Sequence, residues 1–147
     1  MFRISVLALT VLLCIVSLSC QQYSTGLQRS VARADETAAV GALRAIAAAQ
    51  QGYALTTGGD FGTFQQLCEG GFLDSRFNSS KPSVRDYVLS MEVKPKSASD
   101  TVGFFSCNAD PVAGAQAGRH FYIDSTSSDL RVNPSQAATA KDPVLQP

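Results

Sequence analysis
The chain has 147 residues, with 12 Lys+Arg balanced by 12 Asp+Glu, so its formal net charge is zero. At roughly 100–200 residues per domain this is one domain, and the absence of a basic field argues against a nucleic-acid partner. Apolar residues make up 45% of the chain, which argues against wholesale disorder, and one His with no Trp leaves little for a His-based metal site or hydrolase.

The N-terminus reads as an address. Phe2-Arg3 is followed by ISVLALTVLLCIVSL over residues 4–18, free of charge, then Ser19-Cys20 and the polar Gln21-Gln22. A charged start, a short apolar stretch and a small-residue site predict a secretory signal peptide over 1–19. The run is short for a stable bilayer span, which needs about 20 apolar residues, and an uncleaved anchor helix is the competing reading. Val16-Ser17-Leu18-Ser19-Cys20 resembles a lipobox, the site at which bacterial lipoproteins are cut before a Cys that becomes lipidated. That resemblance implies lipidation at Cys20 and a membrane anchor made of acyl chains. One chain holds marginally and two or more hold stably. The alternative is ordinary signal cleavage nearby, with Cys20 a free thiol.

Of the four cysteines, Cys14 lies in the apolar run and Cys20 is assigned to lipid, leaving Cys68 and Cys107. In an oxidising compartment an even pair predicts a disulfide. It would close a loop of about 40 residues, worth roughly 3–4 kcal/mol on the chain-entropy model. Two buried free thiols are the alternative. A zinc site is not predicted, since no CxxC or HxxxH accompanies the pair.

The mature part divides into a domain over 20–134 and a flexible tail over 135–147. Alanine dominates from about Ser24 to Leu55, and Ala is the best helix former. One long helix is predicted, amphipathic from about Ala34, with Leu43, Ile46, Ala49 and Tyr53 on one sector and Arg33, Arg44 and Gln51 opposite. Gly58-Gly59 ends it. A short helical turn follows at 61–68, then a polar loop from Asp74. Strands are predicted at Tyr87–Val93, with Tyr87, Leu89, Met91 and Val93 on one face, at Thr101–Cys107, at His120–Asp124 and at Leu130–Val132. The tail from Asn133 reads as extended or mobile. The fold class is therefore α+β: one long N-terminal helix packed on a small antiparallel sheet of three to four strands.

Three strings sharpen the fold. ADETAAVGALRAIAAAQQGY at 34–53 is similar to the helix of type IV pilins and pseudopilins. Asn108-Ala109-Asp110-Pro111-Val112, then Gly118-Arg119-His120-Phe121-Tyr122-Ile123-Asp124, then Arg131-Val132-Asn133-Pro134 resemble the closing strands of short pilin-like proteins. The match covers about 33–134 and implies a pilin-like globular head. A prepilin has a basic leader ending in Gly and an apolar helix with Glu near its start. Here the apolar run starts at residue 4, follows no Gly and contains no Glu. The resemblance thus implies a pilin-type head on a different anchor.

No catalytic residue is expected. His120 has no GxSxG elbow or comparable nucleophile context, so it reads as a sheet residue. Asp100, Asp110, Asp124 and Asp129 lack the spacing of an EF-hand loop and read as turn residues rather than calcium ligands. Gly58-Gly59 and Gly70-Gly71 lack a phosphate-binding frame. Arg29, Arg33 and Arg44 read as a solvated helix face. The chain is expected to be a non-enzymatic cell-envelope lipoprotein of structural or protein-binding role, facing the periplasm or cell surface. No cofactor, metal, nucleic acid or small-molecule substrate is expected. Protein contact is expected through loops at 74–86 and 111–118. The alternative is a minor pilin-like component of a type IV pilus or type II secretion system, held by an uncleaved N-terminal helix.

Overall fold
The structure is a computed structural model that describes residues 2–97, 100–113 and 118–146, with side chains described from Gly26 onward. The expected leader over 1–19, Cys14 and the expected lipidation site at Cys20 lie outside the residues whose side chains are described. Among the residues from Gly26 onward, no helix is long and apolar enough to cross a membrane.

Alanine-rich sequence gives helix α1 (Phe2–Thr57). Its buried positions are Asp35, Ala39, Ala42, Leu43, Ile46, Ala47, Ala49 and Gln50. The i, i+3, i+4 spacing makes this one stripe, and Arg33, Arg44 and Gln51 are exposed opposite it, as the periodicity predicts. Gly58 and Gly59 then adopt φ of 71° and 103°, a conformation that favours glycine, and Gly59 N–H donates to the Ala54 carbonyl at 2.8 Å.

Helix α2 (Phe64–Glu69) follows, closed at its start by a reciprocal capping box. Thr63 Oγ1 accepts from Gln66 N–H at 3.3 Å, and Gln66 Oε1 accepts from Thr63 N–H at 2.8 Å. A single 3-10 turn spans Ser75–Phe77 and plants Phe77 in the core.

The sheet has five antiparallel strands in sequential order: β1 (Ser83–Val84), β2 (Tyr87–Lys94), β3 (Phe104–Pro111), β4 (His120–Asp124) and β5 (Arg131–Asn133). The α+β class stands, with five strands where three to four were expected. The added strand is β1, whose two-residue turn carries Arg85 at φ 51°. No Gly or Asn marks that turn in the sequence. An ion pair from Arg85 to the buried Asp35 at 3.1 Å holds it from across the fold. β3 also lies later than expected, with Asn108 to Pro111 inside the strand rather than ending it.

One face of the sheet carries Tyr87, Leu89, Phe105, Cys107, Ala109, Phe121 and Ile123, all buried in the same apolar cluster as α1. Cross-strand register aligns them in rows such as Leu89, Ala109 and Phe121. Each large side chain fully buried here is worth about 1.5–3 kcal/mol. Gly118 is fixed by close approach, because a Cβ there would collide with the Tyr87 hydroxyl.

Two expectations are corrected. Cys68 and Cys107 are free thiols, so the predicted bridge is not formed. Cys107 is sealed in the core face of β3, whereas the Cys68 thiol is engaged by the Asp74 carbonyl at 3.3 Å in the turn after α2. The tail is docked rather than flexible. Val132 N–H donates to Pro143 O at 3.0 Å and Leu145 N–H to Leu130 O at 2.7 Å, which lays the tail along the outer edge of β5. Asn133 Nδ2 donates to Asp142 Oδ1 at 2.7 Å, and Asn108 Nδ2 donates to the carbonyl of buried Ala138 at 2.7 Å.

The fully buried Gln50 clamps the backbone between the helices: its Nε2 donates to Gly62 O at 2.6 Å and its Oε1 accepts from Gly62 N–H at 2.9 Å. Replacing it orphans two buried backbone groups, each costing about 1–3 kcal/mol. Gln50→Leu is expected to lower the unfolding free energy by about 2–4 kcal/mol in denaturant titration. Asn133→Ala is expected to cost about 1–3 kcal/mol and to speed hydrogen exchange at the Val132 and Leu145 amides, while core amides of β3 change only with global stability.

Candidate interaction surfaces
Among the described residues, three surfaces present chemistry. The first is the sheet face turned away from α1. Alternation puts Ser90, Asn108, Tyr122 and Arg131 in one row and Glu92, Ser106 and Asp124 in the next. The tail at 137–140 crosses this face and leaves a cleft of about 560 Å³ bordered by Phe104, Asn108, Asp110 and Tyr122. His120 Nδ1 lies 2.6 Å from Asp110 Oδ1, a cross-strand pair that the sequence reading did not join. Among the described residues, no side chain hydrogen-bonds the other ring nitrogen of His120, so no nucleophile is coupled to the pair.

The other reactive groups are quenched by burial. Burial pushes the Cys107 thiol up to about 12, with Asp110 adding to it. Tyr122 is pushed up to about 12 by burial and by its hydrogen bond to Asp124 Oδ2 at 2.9 Å. Asp124 Oδ1 in turn accepts from Thr126 N–H at 2.8 Å, making it the anchor of the β4–β5 turn. Among the described residues, no three His, Cys, Asp or Glu side chains are grouped to hold a metal ion. Asp110 and Asp124 thus act in pairs and turns, Asp100 accepts from the Ser97 hydroxyl at 2.8 Å, and the Asp129 backbone N–H donates to Ser127 Oγ at 3.2 Å.

The second surface lies where α1 leaves the head. The Arg119 guanidinium grips the Glu36 carboxylate through Nη2 at 2.8 Å and Nε at 3.2 Å, and the Arg119 backbone N–H adds a bond at 3.1 Å. A shallow hollow of about 420 Å³ adjoins it, lined by Arg33, Val40 and Leu145 among others. Burial raises the Glu36 carboxyl, but the Arg119 hydrogen bonds and charge, with Arg33 beside them, outweigh it and hold its pKa below the usual range. N-terminal to this clamp, Leu27 and Val31 are about half exposed and Arg29, Arg33 and Ala34 are exposed, so the helix leaves the head there.

The third surface is a groove of about 450 Å³ between the start of α2, the segment 78–80 and β2. Phe64, Met91 and Val93 form its apolar part, and Thr63, Gln65, Asn78, Ser79 and Ser80 its polar rim. Segment 78–80 belongs to the 74–86 stretch expected as an exposed loop, whereas 114–117 of the other expected loop lie outside the described residues. Sequence reading missed the groove, although the Thr63-x-x-Gln66 capping signature marks one wall.

Carboxylates with depressed pKa values stabilise the fold above the ordinary carboxylate range and lose that contribution as pH falls through the depressed values. Asp60, hydrogen-bonded by Lys96, and Asp142, hydrogen-bonded by Thr139 and Asn133, are depressed in the same direction as Glu36. Stability is therefore expected to fall on acidification through the carboxylate range. Because the Cys107 thiol and the Tyr122 phenol are raised to about 12, it is expected to fall again as pH rises through the ordinary thiol and phenol range. Glu36→Gln is expected to flatten part of the acid slope in pH-resolved thermal unfolding.

No family model, no curated protein and no solved structure matches this chain.

Proposed function
We infer that the chain is a non-enzymatic bacterial cell-envelope lipoprotein: a pilin-like head, delivered by the 1–19 leader, tethered by lipid on Cys20 and serving a structural or protein-binding role. The observation that carries this is the geometry of α1. Its stripe is buried from Asp35 onward, and the residues before it project exposed toward Cys20. A helix that leaves the body on the side of its N-terminus is suited to hold a head away from a membrane. The Cys107 thiol and Tyr122 phenol, held toward their neutral forms by burial, fit a binding role. The order of one long helix and a sequential antiparallel sheet is compatible with the pilin-like reading.

A second reading is favoured by the helical backbone itself, which runs from Phe2 to Thr57. On that reading the leader stays attached, and the protein is a minor pilin-like component of a pilus or type II secretion machine.

Intact mass of the protein extracted from bacterial membranes separates the two. The lipoprotein reading expects loss of residues 1–19 and the added mass of a diacylglyceryl group and an acyl chain on Cys20, with Cys20→Ala blocking that addition. Retention of 1–19 with an unmodified Cys20 would establish the second reading instead.

A further inference from the structure
The two edges of the sheet are treated differently. On the β5 side the chain closes the edge with its own tail, through the Val132–Pro143 and Leu145–Leu130 backbone bonds and the Arg131–Val144 bridge. On the β2 side, β1 is only two residues long and covers Tyr87 and Val88. The last bond across this edge is Leu89 N–H to Pro82 O at 2.8 Å.

Beyond it the edge is open. Along a strand, alternate residues turn their backbone groups to the same side. Since Leu89 N–H points to the β1 side, Met91 and Val93 point their N–H and C=O groups there as well. Among the described residues, nothing bonds them on that edge. The groove formed by Phe64, Thr63, Gln65 and 78–80 lies beside this stretch of β2. Gln50 Nε2, 3.2 Å from Met91 Sδ, ties the groove to the buried clamp.

Open edges are ordinarily blunted, because unpaired backbone groups template pairing with another chain. Here the charges on β2 itself, Glu92 and Lys94, alternate to the far face and pair with each other at 3.2 Å. The groove lining carries no charged side chain. Its complement is thus an uncharged segment that supplies backbone donors and acceptors along one side and apolar side chains at every second position.

We propose that the open edge of β2 at Met91 and Val93, with the adjoining groove, is a binding site for an extended, uncharged peptide segment of a partner protein, added as an antiparallel strand. This names the partner class for the binding role inferred above and rests on that role, but not on the state of Cys20. In an antiparallel ladder, the residue opposite Met91 exchanges backbone bonds with it and turns its side chain to the same face. The partner's apolar residues therefore carry the amides that face β2. Backbone bonds provide attraction and the groove selects alternate side chains, as in other strand additions.

The test uses the full chain in detergent micelles and a blocked hexapeptide of alternating serine and valine. Binding is expected to raise hydrogen-exchange protection of the Met91 and Val93 amides at least tenfold. Methylating the valine nitrogens of the peptide, or replacing its valines with aspartate, is expected to weaken binding at least tenfold. Val93→Pro removes an outward N–H where an edge strand tolerates proline, and the same loss is expected. The methylated peptide gives the answer without any variant, should Val93→Pro fold poorly. Equal binding of the methylated peptide, protection appearing only along the β5 edge, or no binding at millimolar peptide would overturn the proposal. So would dimerisation that protects Met91 and Val93 without peptide, which would make a second copy the occupant. A mass showing residues 1–19 retained would overturn the lipid tether and leave this site standing.

Discussion
The fold depends on how closely α1 can lie on the sheet. Ala39, Ala42, Ala47 and Ala49 surround Leu43 and Ile46 on the buried stripe, so the larger side chains come mainly from the opposing strands. Tyr87, Leu89, Phe105, Phe121 and Ile123 fill the space that the alanines leave. Interiors are packed to crystal-like density, so a small-residue helix demands a large-residue sheet. Everything else is arranged around that contact. The Gln50 clamp sets the path into α2, and the Asp35–Arg85 and Glu36–Arg119 pairs pin β1 and the start of β4 to the first buried turn of the helix. Surface pairs such as Asp74–Arg76, more than half exposed on both sides, add only about 0–1 kcal/mol.

The sheet's two faces have separate work. The face under α1 is apolar and closed. The far face is polar, and the tail crosses it beside Tyr122 and meets Asn108 through Ala138. A tail read as mobile on composition alone is thereby part of the fold, because Arg131 and Asn133 of β5 bind Asp142 through its carbonyl and carboxylate. The same tail closes one sheet edge, and the contrast with the open half of β2 gives the molecule its asymmetry. Burial accounts for the quiet chemistry of the interior. The Cys107 thiol and the Tyr87 and Tyr122 phenols are all held toward their neutral forms.

Much of this was legible in the residues because it is local. Alanine content and the spacing of Leu43, Ile46 and Ala49 give α1, Gly58-Gly59 give its end, and alternation at Tyr87, Leu89, Met91 and Val93 gives the core face of β2. His120–Asp124 emerges with the predicted bounds. The site was less legible. The Thr63-x-x-Gln66 signature was there to be read, but nothing in it announces that Asn78, Ser79 and Ser80 stand across a groove from it.

What the sequence determined by itself is what neighbours along the chain decide: helix, caps, strand faces and the α+β class. What only the tertiary structure decided is what distant residues impose on one another. Asp35 pairs with Arg85 in the left-handed turn between β1 and β2, and Asp110 meets His120 only through strand register. Cys68 and Cys107 remain free thiols, while Asn133 and Asp142 turn a loose-looking tail into an edge. Such choices rest on packing and pairing between segments far apart in sequence, and no local window of residues contains them.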